Sequence, residues 1–374
     1  MKKYGFVALA AMACASSGAF AQVGSTGQGP VSASTATLFG VVDVAYSYGD
    51  GSINHVQRLV SGANTSSRLG FRVFEDLGGG LAAGAWLEAG VNVDNGTGTA
   101  SSTNNQSNGA GPSQGGGQGI LFNRRSTVSL ISADWGEVRL GRDFVATFRN
   151  RDQTDPFGTV GVGASQVDAG SIAGVTSTRA SNMVGYFLPA ARLGGFFGEV
   201  QYYMGENPSN TSTPVDGSGW QGRLGYRNGP WGVALAGGWT SYDRTATAGE
   251  VDVWNIGAHY EFGFGRLTGG YFEDKIKQQS TTVKATGYIV GFIAPVGVTD
   301  LKIAYSSYGT DAAGDPTTHK IAVGAVYNLS KRTAAYATYA HVDNKGPASV
   351  GLAGSTTGAG QSSNGFDLGL KHSF

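Results

Sequence analysis

The chain contains a single cysteine, Cys14, and it lies close to the N-terminus. Beyond that position no thiol exists, which excludes disulfides, thiolate catalysis and cysteine metal sites from the rest of the chain. Charge is also scarce, at 14% of 374 residues, and the 26 basic and 26 acidic residues balance. No overall basic character therefore suggests nucleic acid as a partner.

Long apolar runs and catalytic patterns are missing as well. After the N-terminal stretch no run approaches the roughly 18 apolar residues of a membrane-spanning helix. No HExxH or GxSxG pattern occurs, and the glycine run at Gly115–Gly117 does not join a strand to a helix. The histidines stand singly, at His55, His259, His319, His341 and His372. We therefore predict no catalytic residue, no metal site and no cofactor.

The N-terminal residues predict an export signal. Lys2 and Lys3 precede a short apolar stretch, and the small residues Ala19 and Ala21 stand where a signal peptidase cleaves. That stretch is too short to cross a bilayer core of about 30 Å. A buried or amphipathic helix is one alternative, and lipidation of Cys14 is another. We predict a cleaved signal peptide over 1–21 and a flexible extension rich in Gly, Ser and Thr over 22–35. The main domain follows over 36–374.

The abundant residue types point to an all-β chain. Glycine reaches 62 residues without a triplet period, which indicates many tight turns. The 16 tyrosines and 18 phenylalanines argue against disorder, because they offer surface worth burying.

Apolar and polar residues alternate with a period of two along most of the chain, which is typical of strands whose two faces meet different environments. Between Thr37 and Tyr48, Leu38, Val42 and Tyr46 share one face, and Asp43 and Ser47 share the other. Sixteen such segments are predicted: 36–48, 67–76, 80–91, 121–132, 137–144, 179–188, 195–204, 219–227, 231–240, 251–262, 266–274, 282–293, 298–308, 319–329, 333–342 and 364–374.

The connections alternate between short turns and long polar loops, such as 92–119, 145–178, 205–218 and 343–363. This is the pattern of bacterial outer-membrane barrels, with short periplasmic turns and long external loops. Aromatic residues cluster near strand ends, which favours a membrane barrel over a soluble sandwich or barrel. In six of the predicted strands every Asp, Lys and Arg lies on the less apolar face, so we predict a wet lumen surrounded by outer-membrane lipid and lipopolysaccharide.

Several segments resemble the general porins of Gram-negative bacteria, in particular the beta-proteobacterial and neisserial branch. They lie in the expected order over nearly the whole chain: Thr37–Asp43, Ser67–Arg72, Glu75–Leu81, Leu121–Arg125, Gly136–Arg142, Asp155–Gly158 and Leu370–Phe374. The resemblance implies sixteen strands, a homotrimer and a third external loop folded into the pore. It also implies that Phe374 belongs to the signal bound by the barrel-assembly machinery. The extension over 22–35 departs from the family, and a different cleavage site is an alternative explanation of it.

A passive pore requires a constriction and an electric field across it. The resemblance implies basic residues on the wall facing acidic residues on the loop at about 145–178. The wall candidates are Arg68, Arg72, Arg125 and Arg139 by alternation, with Arg124 and Arg142 near strand ends. The loop candidates are Asp152, Asp155 and Asp168.

We therefore predict passive diffusion of small ions and hydrophilic solutes, with a mild anion preference that weakens with salt. The alternatives are a substrate-specific channel, an adhesin or structural barrel acting through its loops, and a barrel enzyme such as a lipase or protease. For any single arginine, an ion pair that supports the wall or anchors the loop is the alternative role. For Phe374 the alternative is an ordinary interfacial residue of the last strand.

Overall fold

The computed structural model describes residues 34–101, 105–106 and 121–374. The predicted signal peptide with Cys14, most of the extension over 22–35 and much of the loop over 92–119 lie outside the described residues. In the described ranges, no helix is both long and apolar enough to cross a membrane.

Sixteen long strands form one antiparallel sheet within the described residues. They are β1 (Thr35–Gly51), β2 in two pieces (His55–Ser61 and Arg68–Gly78), β3 (Leu81–Asn92), β4 (Arg125–Ser132), β5 (Gly136–Phe144), β6 (Arg179–Phe187), β7 (Phe196–Tyr203), β8 (Gly219–Asn228), β9 (Trp231–Thr240), β10 (Glu250–Phe262), β11 (Gly265–Lys277), β12 (Thr282–Val296), β13 (Thr299–Thr310), β14 (Thr317–Asn328), β15 (Thr333–Lys345) and β16 (Ser363–Ser373).

The sheet closes on itself, because β1 pairs with β16 from Val41↔Ser373 to Gly51↔Ser363. Closure leaves no open sheet edge, so the backbone groups of every long strand find partners. Short turns such as 229–230 and 263–264 lie at the end of the barrel that also holds the start of β1 and the end of β16. The longer loops lie at the other end, and the predicted sixteen-stranded barrel is confirmed.

The longest fully described loop, 145–178, connects β5 to β6 and contains two short helices. These are α1 (Ala146–Asp152) and α2 (Gln166–Ala169), followed by a 3₁₀ turn over Gly174–Ser177. A second 3₁₀ turn, Ala190–Arg192, lies in the connection between β6 and β7.

Most strand ends lie within three residues of the sequence-based expectation, and larger differences occur in the first part of the chain. The piece His55–Ser61 pairs with β1 from Val44 to Asp50. It was not predicted as a strand, because it mixes polar and apolar residues on both faces. The interruption over 62–67 is held by Asp43, whose Oδ2 accepts the backbone N–H groups of Asn64 and Thr65 at 3.1 and 2.7 Å. The strand expected over 121–132 begins only at Arg125, and a two-residue bridge at Thr97–Gly98 pairs with the end of β3.

The two faces of each strand differ as the alternation predicts. On β9, Trp231, Leu235 and Trp239 point outward with 43%, 54% and 40% of their surface exposed. The two tryptophans mark the ends of the apolar band, and Leu235 lies midway between them. Facing inward on the neighbouring strand β8, Gln221 and Arg223 are buried.

We expect Leu235→Arg to reduce the free energy of folding into lipid vesicles by about 2–4 kcal/mol, because it places a charge at the centre of the apolar band. Denaturant titration of folding into vesicles measures this change, with Leu235→Ile as the matched control. Equal stability of the two variants would contradict the outward placement.

Candidate functional site

The loop 145–178 folds into the barrel, where α1 lies against the inner wall. The first two backbone N–H groups of α1 donate to the side-chain oxygens of Gln201 on β7 and Gln221 on β8, at 2.8 and 3.1 Å. Further along α1, the amide of Asn150 donates to Asn255 Oδ1 on β10 at 2.8 Å. These wall side chains therefore satisfy donors that the helix N-terminus leaves free.

A buried network of charges fixes the same helix. Asp143 Oδ2, at the end of β5, lies 2.8 Å from Arg149 Nη2 of α1 and 2.5 Å from Arg139 Nη1 of the wall. Arg139 also pairs with Glu137 at 2.8 Å, and Arg149 Nε lies 3.5 Å from Glu199 on β7. All five side chains are buried. Charges at this depth are tolerated only when paired, so detachment of α1 would separate Arg149 from both of its acidic partners.

The later part of the loop is tied to the opposite wall. The backbone N–H of Val162 donates to Asp367 Oδ2 on β16 at 2.8 Å, and Lys320 Nζ on β14 donates to the carbonyl of Ala164 at 2.6 Å. The loop thus runs across the lumen and is bonded to strands on both sides of it.

Apolar packing completes the attachment. Phe157, Val162 and Val167 of the loop join a buried cluster with wall side chains on β11 to β15: Phe272, Ala285, Ile289, Ala304, Tyr308, Ala322, Ala340 and Val342. Glycine makes the close approach possible at several wall positions. A Cβ added at Gly291 would overlap Pro156, and one added at Gly257 would lie 2.6 Å from Thr154 Cγ2.

The loop leaves a cavity of about 1050 Å³ in the lumen, open toward the short-turn end of the barrel. Eight basic residues line it: Arg68, Arg124, Arg179, Arg223, Arg227, Arg266, Lys302 and Lys371. Five acidic residues line it: Asp152, Asp168, Glu199, Glu261 and Asp300. The lining therefore carries an excess of positive charge.

Of the basic residues expected at a constriction, Arg68 and Arg124 line this cavity. Both contact Glu88, with N···O distances of 3.9 Å for Arg68 and 2.6 Å for Arg124. Asp152 of the loop lines the same cavity and attracts both guanidinium groups. The structure therefore brings Arg68, Arg124 and Asp152 together.

The other four predicted arginines lie elsewhere. Arg125 and Arg139 face inward but pair with Asp143, at 3.8 and 2.5 Å, and are not part of the cavity lining. Arg72 lies near the short-turn end, 5.4 Å from the ring centroid of Trp86. Arg142 lies beside a register irregularity between β5 and β6 and donates to the carbonyl of Asn123 at 2.6 Å.

The predicted loop acids also have different environments. Asp168 lines the cavity and pairs with Arg151 at 2.9 Å. Asp155 is buried and accepts the backbone N–H groups of Phe157 and Ser165, each at 2.8 Å, so it closes a turn of the loop. The assignment of all nine residues to a constriction stays a prediction.

Phe374 lies on the outside of the barrel with 45% of its surface exposed. Its backbone N–H and C=O exchange hydrogen bonds with Gly40 at 3.1 Å each. A signal role for this residue stays a prediction.

Six of the lysine and arginine residues that line the cavity were not proposed from the sequence: Arg179, Arg223, Arg227, Arg266, Lys302 and Lys371. Alternation alone places Arg223, Arg227, Lys302 and Lys371 on charged strand faces, so the signal was present. Which of these faces border open lumen depends on the path of the loop, and no local pattern specifies that path.

The comparisons with known proteins agree with this architecture. A family model described as Gram-negative porin matches residues 8–347. The chain belongs to the Gram-negative porin family. Its place is the outer membrane, and the predicted family and localisation are confirmed.

Individual porins show how close the similarity is. Outer membrane porin protein 32 of Delftia acidovorans is 36% identical over 358 residues, covering 91% of this chain and 94% of the relative. An outer membrane porin protein of Bordetella pertussis is 27% identical, covering 82% and 89%. The solved anion-selective porin from Comamonas acidovorans superimposes with a TM-score of 0.80 at 33% identity, covering 91% of this chain and all of that one.

Loop contact with the wall is testable at Gly291. We expect Gly291→Ala to push Pro156 toward the pore axis, because no space exists for the added Cβ, and to destabilise loop attachment by about 1–3 kcal/mol. Single-channel conductance should fall. The matched control is Gly269→Ala on β11, where the nearest atom to an added Cβ is 3.6 Å away. The same conductance in both variants would refute the close contact.

Asp152 provides a test by pH. Burial, and then repulsion from Asp155 and Asp168, raises the pKa of this loop carboxyl to about 6. Below that pH the carboxyl is neutral and the positive lining is opposed less, so anion preference should increase as pH falls through 6. Reversal potentials in a potassium chloride gradient at pH 5 and pH 7.5 measure this. Asp152→Asn should show the acidic behaviour at both values, and an equal pH response in that variant would exclude Asp152 as its source.

Proposed function

We propose that the protein is a water-filled outer-membrane channel for passive diffusion of ions and small hydrophilic solutes, with a mild preference for anions. The excess of basic groups on the lining carries this proposal. Among the described residues, Arg227, Lys302 and Lys371 line the cavity without an acidic partner within 4.0 Å. These charges are free to act on mobile ions.

The size of the electrostatic interaction favours a preference for anions over strict exclusion of cations. Two unit charges about 8 Å apart interact by roughly 0.5 kcal/mol in bulk water, and physiological salt screens over a similar distance. Low-dielectric walls raise the interaction, so several unpaired cations would shift passage several-fold. The solved porin from Comamonas acidovorans is described as anion-selective, which supports the same direction here.

The remaining assignments follow the family. We propose export by a cleaved signal peptide over 1–21, a flexible extension over 22–35 and a barrel domain over 36–374. We further propose a homotrimer in outer-membrane lipid and lipopolysaccharide, assembled through the barrel-assembly machinery with Phe374 in its signal. A solved outer-membrane barrel of Vibrio cholerae, 13% identical with a TM-score of 0.65, is described as a trimer form. We propose no enzymatic activity, no cofactor and no nucleic-acid partner.

The test is reconstitution of the mature protein into a planar bilayer in a potassium chloride gradient. We expect stable conductance steps and a reversal potential that favours chloride and shrinks at high salt. Lys302→Gln combined with Lys371→Gln should reduce the chloride preference, because it removes two lining charges that lack acidic partners.

The matched control is Lys331→Gln, which removes an exposed lysine in the turn between β14 and β15. Equal selectivity in the control and the double variant would contradict the role of the lining. A folded barrel without conductance would instead favour an adhesin or structural role for the external loops.

A further inference from the structure

Two rings lie flat against adjacent strands near the short-turn end of the lumen. Phe197 on β7 pairs with Gly225 on β8, and an added Cβ at Gly225 would overlap the Phe197 ring. His259 on β10 pairs with Gly232 on β9, where an added Cβ would lie 2.6 Å from His259 Cε1. Rings that cover glycines stabilise a sheet in their own right. Here the Phe197 and His259 rings also form a flat surface that faces the lumen, which we call the floor.

Guanidinium groups surround this floor. Arg223 and Arg227 alternate with Gly225 on β8, and their Cζ atoms lie 5.2 and 5.4 Å from the Phe197 centroid. Arg227 is exposed, and it pairs with Gly232, which places it between the two rings. Among the described residues Arg227 has no acidic partner within 4.0 Å, so its N–H groups can bind a ligand.

A buried arginine adds positive charge at the edge of this floor. The Arg223 side chain is 3% exposed, and its Nε lies 3.4 Å from Glu199, yet its Nη1 has no hydrogen-bond partner in the described structure. Arg266 on β11 lies at the far edge, where it pairs with Glu261 at 3.2 Å. The positive charge around the floor therefore exceeds what its acidic neighbours neutralise.

We propose that Phe197, Arg227 and His259, flanked by Arg223 and Arg266, form a binding station for flat organic anions, represented by aromatic carboxylates. The carboxylate would accept N–H groups of Arg227 and its neighbours, and the ring would lie over Phe197 or His259. The station lies on β7 to β11, whereas Arg68 and Arg124 lie on the β2 to β4 side of the same cavity. It rests on the proposed channel function and adds a preferred solute class to it.

The experiment titrates benzoate into potassium chloride around the reconstituted channel and records the fall in chloride current. Cyclohexanecarboxylate is the matched probe, with the same charge and a similar size but no flat ring. We expect benzoate to block at a several-fold lower concentration than cyclohexanecarboxylate. Arg227→Gln should raise the half-blocking concentration of benzoate about tenfold, and Phe197→Leu should remove the difference between the two probes.

The control variant is Arg192→Gln, which removes a positive charge at the same end of the barrel but outside the cavity, where the Arg192 side chain is 63% exposed. Equal block by the two acids, or block that Arg227→Gln leaves unchanged, would overturn the station while chloride conductance preserves the channel. Absence of any chloride conductance from a folded barrel would overturn both.

Discussion

The architecture of the lumen depends on one buried carboxylate. Asp143 is the penultimate residue of β5, just before the chain turns into the lumen, and it binds Arg139 of the wall and Arg149 of the loop through the same oxygen. A charge at this depth requires partners, and removal of one partner of a buried pair typically costs about 3–5 kcal/mol. Glu199 strengthens the arrangement because it lies near both Arg149 and Arg223. The constraint that orders the loop is therefore electrostatic at its start and apolar further along.

Fixing the loop in this way decides which charges meet the solution. Arg125 and Arg139 pair with Asp143 and do not line the cavity. Arg227, Lys302 and Lys371 remain at the open surface. A uniformly charged wall opposite an acidic loop is thus too simple a description. The lining combines eight basic residues with five acidic ones. It also includes a floor of flat rings that general diffusion alone does not require.

The fold was largely predictable because a strand that separates lipid from water must alternate along its whole length. That rule alone places the Tyr46 side chain on the outer face of the barrel and the Asp43 side chain on the inner face. The piece His55–Ser61 was missed because its two faces are similar in polarity. The candidate site was harder to predict from the sequence, because its residues come together only after a loop crosses the lumen. Nothing in the sequence distinguishes Asp155 from Asp152. In the structure Asp155 closes a turn of the loop, whereas Asp152 lines the cavity.

The most direct test of this account is the single-channel step size of Arg149→Met in about 1 M potassium chloride, where a screening length of about 3 Å suppresses charge effects and conductance reports the open cross-section. Methionine keeps the apolar stem of Arg149 and removes the bond to Asp143. The account predicts larger, noisier steps than in the parent protein, because the start of the loop loses its anchor. Steps of parental size and stability from a folded Arg149→Met barrel would contradict it.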